Sequence, residues 1–234
     1  MRKILNHLST DWYKYLLELI VITAGVLGAF ALNSWNENRK MRSEELIILK
    51  DIQSNLATTL ENFISDTTYN AKSLDHYTKI EDYIINDLPY SSELDSAFGE
   101  LNFWSGPFIT STAYKSLQAK GIDIIQNQSL KYAIIDLYEV QFPRVEIDYD
   151  QAEWELSNGV VVPFYAKHIR RLNDHNLSLA RPNNFELLKR NDEFRNILSM
   201  LVRQRRRGLE FYSVAINLIT KLVEDIQTEI DSRE

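Results

Sequence analysis

Residues 15–32 read YLLELIVITAGVLGAFAL, eighteen positions that carry a single charge, Glu18. From Trp12 to Trp35 a helix would rise roughly 35 Å at about 1.5 Å per residue. The hydrocarbon core of a bilayer is about 30 Å thick. Trp12, Tyr13 and Tyr15 stand at one end and Trp35 at the other, in the manner of the aromatic belts at the two membrane–water boundaries. The stretch predicts one transmembrane helix, a lipid bilayer as its surroundings, and the remaining chain on one side. A cleaved signal peptide is the rival reading, because Arg2 and Lys3 precede the apolar run and Ala29-Phe30-Ala31 has the A-x-A form. Its n-region would be long and would contain Asp11, and its apolar run would open on a glutamate. Helical sequence also continues past the supposed cleavage point, so the anchor is preferred.

Within the span, Glu18, Ile22, Gly25, Ala29 and Leu32 recur at intervals of four, three, four and three, which places them on one helix face. Gly25-x-x-x-Ala29 and Ala24-x-x-x-Gly28 are small-xxx-small patterns, which let two helices approach closely in lipid. That face predicts self-association into a homo-oligomer. A carboxylate in hydrocarbon seldom faces lipid. Glu18 either snorkels to the headgroups or pairs with Lys14. Alternatively it faces a neighbouring helix, and in the extreme case lines the pore of an oligomeric channel or membrane effector.

The composition fits such a plan. Seven Gly and five Pro in 234 residues leave few tight turns, which suits a helical fold. Cysteine is absent, which excludes a disulfide framework, a Cys-based metal site and a thiol nucleophile. Residues 1–42 hold six Lys/Arg against three Asp/Glu, and the rest hold 20 against 30. An acidic soluble part argues against nucleic acid as a partner.

Beyond the span, Leu46, Leu49, Leu56, Leu60, Phe63, Leu74, Tyr77 and Ile84 keep a helical period, with no Gly or Pro from Leu32 to Leu88. The transmembrane helix is therefore expected to continue into a long amphipathic helix that breaks at Pro89. Phe98, Phe103, Trp104 and Phe108 surround Gly99, Gly106 and Pro107, and read as an aromatic plug between helices. A short helix is expected from Ser111 or Thr112 to Gly121, and another opens at Asn127. Pro143 bends or ends it. Helix then resumes to about Leu172, with an interruption near Gly159 and Pro163. Residues 173–184 read as a polar connection, and from Phe185 the chain is helical to its end, with a break near Asn191.

Asp148, Asp150, Glu153 and Glu155 read as a solvated acidic face, since the loop frame of a calcium site is missing. Arg203, Arg205, Arg206 and Arg207 form the densest basic cluster. It suits anionic headgroups or phosphate, or, preferably, pairing with the acidic helices of the chain itself as its acidic partner. No phosphate loop, nucleophile elbow or H-E-x-x-H motif occurs. His168 and His175 are seven apart, with no third ligand at recognisable spacing. No catalytic residue, cofactor or metal is expected from these patterns.

The stretch Tyr15–Val21, then Gly25, Ala31-Leu32 and Asn33-Ser34-Trp35-Asn36-Glu37, resembles the opening of an uncharacterised bacterial family of membrane-anchored proteins, "GE, apolar run, NNWNE". Leu17 stands where that family usually has Gly. Tyr114-Lys115-Ser116-Leu117 before Gly121, and Asp192-Glu193-Phe194-Arg195-Asn196, are similar too. The resemblance implies a membrane-anchored helical protein, with no activity attached. The expectation is an all-α protein with residues 1–35 as tail and transmembrane helix and 36–234 as a helical-bundle soluble domain. The expected role is a non-enzymatic, membrane-tethered scaffold or sensor, single-pass in the bacterial inner membrane. Its soluble part would be periplasmic and open to a protein partner.

Overall fold

Nothing between Leu32 and Leu88 interrupts a helix, and the first helix runs accordingly. In the computed structural model, α1 spans Arg2–Ile85, 84 residues. The structure describes the backbone of residues 2–172 and 178–233, and the side chains of 12–14, 16–172 and 178–233. The side chains of His7 and Tyr15, and all of His175, lie outside the described residues. The helix ends where Asp87 takes a positive φ of 49° and the Leu88 N–H donates to the Tyr83 carbonyl at 3.0 Å. That is the six-to-one bond of a Schellman ending, and Pro89 prevents the helix from resuming.

The chain divides into two compact units, residues 1–48 and 49–234. The sequence boundary at 35/36 marks a different property, the end of the apolar stretch. In its described residues the first unit is helix alone. Its most apolar eighteen-residue window has a mean hydropathy of 2.1, and none of that window is buried. By length and composition this helix can cross a membrane.

The second unit is built on three long helices: residues 49–85 of α1, α4 (residues 128–168) and α6 (Asp192–Asp231). From Leu49 on, the buried positions of α1 are Leu49, Ile52, Leu56, Thr59, Phe63, Asp66, Asn70, Ser73, Tyr77, Ile80 and Ile84. They alternate by three and four, the 3.5-residue period of coiled-coil packing. In α6, Leu198, Leu201, Arg205, Gly208, Tyr212, Ala215, Ile219, Leu222 and Ile226 keep the same period. One core cluster joins Ile80, Ile84, Phe98, Phe164, Phe185 and Phe194, with Phe98 and Phe194 stacked at 6.2 Å. A second aromatic group, outside that cluster, joins Phe63, Phe142 and Tyr212 edge to face.

α4 does not break at its prolines. Its α-helical pieces alternate with the wider π-turns Leu137–Gln141, Arg144–Gln151 and Ser157–Val161. A proline inside an α-helix lacks an N–H and its ring collides with the carbonyl four residues back. Here the residue before each proline reaches five back instead. The Phe142 N–H bonds the Leu137 carbonyl before Pro143, and the Val162 N–H bonds the Ser157 carbonyl before Pro163. The widened turn makes room for the ring and keeps the helix continuous.

The shorter elements follow their punctuation. α2 is Asp95–Gly99, after a 3-10 turn at Ser92–Leu94. α3 is Thr112–Lys120, closed by Gly121 at φ 104°. α5 is Phe185–Lys189. The Asn127, Asn184 and Asn191 side chains cap α4, α5 and α6. The expectation that helix reaches Leu172 and gives way to an irregular connection is corrected. α4 ends at His168, and β1 (Ile169–Arg171) pairs antiparallel with β2 (Ala180–Pro182), Ile169 opposite Pro182. Arg181 fastens this hairpin to α2 by a salt bridge to Asp95 at 2.8 Å. Burial opposes ionisation of Asp95, but hydrogen bonds from Arg181 and Tyr90 hold its carboxyl below the usual range. The fold is all-α with this small ribbon added.

Candidate functional site

The face of the apolar helix comes first. Glu18, Ile22, Gly25, Ala29 and Leu32 all lie in α1 and are all exposed. A Cβ added at Gly25 or Gly28 would meet nothing within 4 Å. Trp12, Tyr13 and Trp35 are exposed as well. Lys14 lies 5.8 Å from the Tyr13 ring, and Arg39 lies 5.9 Å from the Trp35 ring. A cation therefore rests beside an aromatic ring at both ends of the apolar run. In the Asn33–Glu37 motif, the Asn33 amide donates to Glu37 at 2.9 Å, one helical turn away.

The second unit holds a polar layer inside its bundle. Arg205 of α6 is 1% exposed. Its Nε donates to Glu153 of α4 at 3.1 Å, one Nη to Asn70 of α1 at 2.9 Å, and the other to the Tyr77 hydroxyl at 3.2 Å. Its guanidinium also lies 5.3 Å from the Tyr77 ring. Burial pushes the Glu153 carboxyl above the usual range, against the opposing pull of Arg205. Nearby, Asp66 accepts hydrogen bonds from Ser105 at 2.5 Å and Tyr212 at 3.3 Å, and burial raises its pKa too. Tyr149 packs against Gly208, where any Cβ would collide with its ring. Three helices thus converge on one buried cation.

The same face of α1 grips the segment between α2 and α3. The Tyr77 hydroxyl donates to the Leu101 or Phe103 carbonyl, each at 3.4 Å. Asn70 exchanges two bonds with the Ser105 backbone at 2.8 and 3.0 Å. The Asn62 amide donates to the Phe108 carbonyl at 3.2 Å. Thr59 accepts from the Thr110 N–H and Asn55 from the Ala113 N–H, both at 3.1 Å. The aromatic-plug expectation is therefore corrected. Phe98 is core, but Phe103 and Phe108 are 41% and 68% exposed. Trp104 donates to Asp150 at 2.7 Å. The segment is a strap held largely by its main chain, with the Ser105 and Trp104 side chains adding to it.

The acidic-face expectation is also corrected. Asp148 and Glu155 are exposed, but Glu153 is buried on Arg205 and Asp150 accepts from Trp104. The arginine cluster splits by register. Arg205 points into the bundle, while Arg203, Arg206 and Arg207 are exposed, with Arg207 lying 5.1 Å from the Phe211 ring. His168 packs beside Phe164. Among the described residues no group of three His, Asp or Glu side chains could hold a metal ion. Asn55, Asp66 and Asn70 escaped the sequence reading, as did the parts that Tyr77 and Glu153 take in the polar layer. The available signal was the register: extending the apolar stripe of α1 through 56 and 63 reaches 59, 66 and 70. No family model, curated protein or solved structure matches the chain.

Proposed function

We propose that the chain is a membrane-tethered, non-enzymatic helical scaffold or sensor that self-associates through its apolar helix. We place it in a bacterial inner membrane, with the second unit on the periplasmic side. The observation that carries this reading is that none of the most apolar eighteen residues is buried. The second unit closes a core of its own, so the apolar stretch needs a separate apolar environment. The flanking Tyr13–Lys14 and Trp35–Arg39 contacts suit the two interfaces. Self-association is supported by the open space over Gly25 and Gly28, where a second helix can approach. The scaffold reading is supported by the polar layer, whose groups bond one another around Arg205.

The test is particle mass in nanodiscs. The wild type is expected to form a defined oligomer, and Gly25→Leu to shift it to monomer. An unchanged mass in the variant would sink the helix-contact reading. Because the chain has no cysteine, a single Ser213→Cys reports sidedness. A membrane-impermeant maleimide should label it in intact spheroplasts. Labelling only after lysis would reverse the orientation.

A further inference from the structure

We propose that the seam between the C-terminal end of α1 and the first half of α6 is a docking groove for an acidic, amphipathic helical segment of a partner protein. Two adjoining recesses, of about 410 and 310 Å³, lie along this seam and share Glu81. Arg203, Arg206 and Arg207 line the first, and Arg195 the second. All four arginines are exposed, and among the described residues no ion pair engages them. Arg195 is braced by its Nε bond to the Lys189 carbonyl at 2.9 Å, which leaves its terminal nitrogens for another group. Arg207 is steadied over Phe211. These are pre-positioned guanidiniums, which lose little entropy on binding a carboxylate.

Ile84, Leu198 and Val202 lie at the base of these recesses but are already buried in the core, and the exposed apolar group beside them is Ile85, 71% exposed. A small anion would use the arginines and leave Ile85 uncovered. An apolar peptide would cover Ile85 and leave the guanidiniums without counter-charges. A helix with one apolar and one acidic face uses both. From Arg195 to Glu210 the seam extends roughly 22 Å, about four turns of a docked helix. Glu81 and Glu210 are the two carboxylates that line it, against four arginines. The chain after residue 42 is acidic, with 20 Lys/Arg against 30 Asp/Glu, so positive charge is concentrated where the partner is to be steered.

The experiment uses the full chain in zwitterionic nanodiscs and fluorescence anisotropy. The probe is a fluorescein-labelled four-turn helical peptide with Leu on one face and Glu on the other, beside a twin carrying Lys in place of Glu. Saturable binding of the Glu peptide is expected, about tenfold tighter than the twin and falling as salt rises. Arg203→Glu with Arg206→Glu, and separately Ile85→Asp, should each weaken it by about tenfold, while Lys221→Glu elsewhere on α6 should not. Matching circular dichroism verifies that the variants fold. Equal binding of the two peptides, no binding, or no loss in the arginine variant would overturn the proposal. Displacement by low-millimolar inorganic phosphate would also overturn it, in favour of a small-anion site.

Discussion

Arg205 shows how much one residue can be asked to do. Its guanidinium is removed from water and satisfied by Glu153, Asn70 and Tyr77. A buried ion pair costs desolvation, but removing one partner leaves the other charge uncompensated. Arg205→Met is therefore expected to destabilise the second unit by about 3–5 kcal/mol. Joining it to Glu153→Leu should recover much of that loss. Chemical denaturation of both variants checks the pair, and a double variant no better than the single would show that packing rather than charge dominates. The sequence presents Arg205 inside the run Arg203-Gln204-Arg205-Arg206-Arg207, where composition cannot separate inward from outward. Register can. Leu198, Leu201 and Tyr212 set a stripe on which 205 and 208 fall, while 203, 206 and 207 do not.

Among the elements, α3 illustrates help from a distance. Ser111 occupies its N-cap position but makes no side-chain cap bond. Asn55 of α1 instead accepts from the Ala113 N–H and the Thr112 hydroxyl. Asn55→Ala should cost about 1 kcal/mol, the ordinary worth of an N-cap. Hydrogen exchange at Ala113 should quicken, and unchanged protection there would show that Ser111 takes over. Element ends marked by Gly121, Asn127, Asn191 and Pro89 were legible, because each acts through its own local backbone. Pro143 does not end the helix and Pro163 does not interrupt it, against expectation. Their compensation is a change of turn width that no local residue type announces. The β1–β2 hairpin was missed for a similar reason: three-residue strands are too short for an alternation, and pairing rather than propensity makes them.

For the whole molecule, acid is the informative variable. Burial holds the His76 imidazole below its ordinary value, against the opposing influence of Glu100 at 3.2 Å. The unfolded chain therefore binds this proton more readily than the folded one. Stability contributed by His76 is present above about pH 6.5 and is lost as pH falls through the depressed folded value. Asp95, held below the usual carboxylate range, adds a further loss at lower pH. Asp66 and Glu153, pushed upward by burial, act in the opposite sense. Between pH 7 and 5 the His76 contribution pulls the melting temperature down while those of Asp66 and Glu153 oppose it, so on acidification His76→Gln should lose less, or gain more, melting temperature than the wild type. Equal slopes would assign the effect elsewhere. At this scale the apolar helix and the helical class could be read directly, since both depend on composition over long windows. The polar layer could not, because Thr59, Asp66, Asn70 and Ser73 look like surface residues until the helix is packed. The strap has a different kind of consequence. Because α1 reads 103–110 largely through carbonyls and amide hydrogens, a position such as Phe108, 68% exposed, can change its side chain without loss of the bond its carbonyl accepts. It is a blank margin, where a surface can be rewritten without disturbing the scaffold beneath.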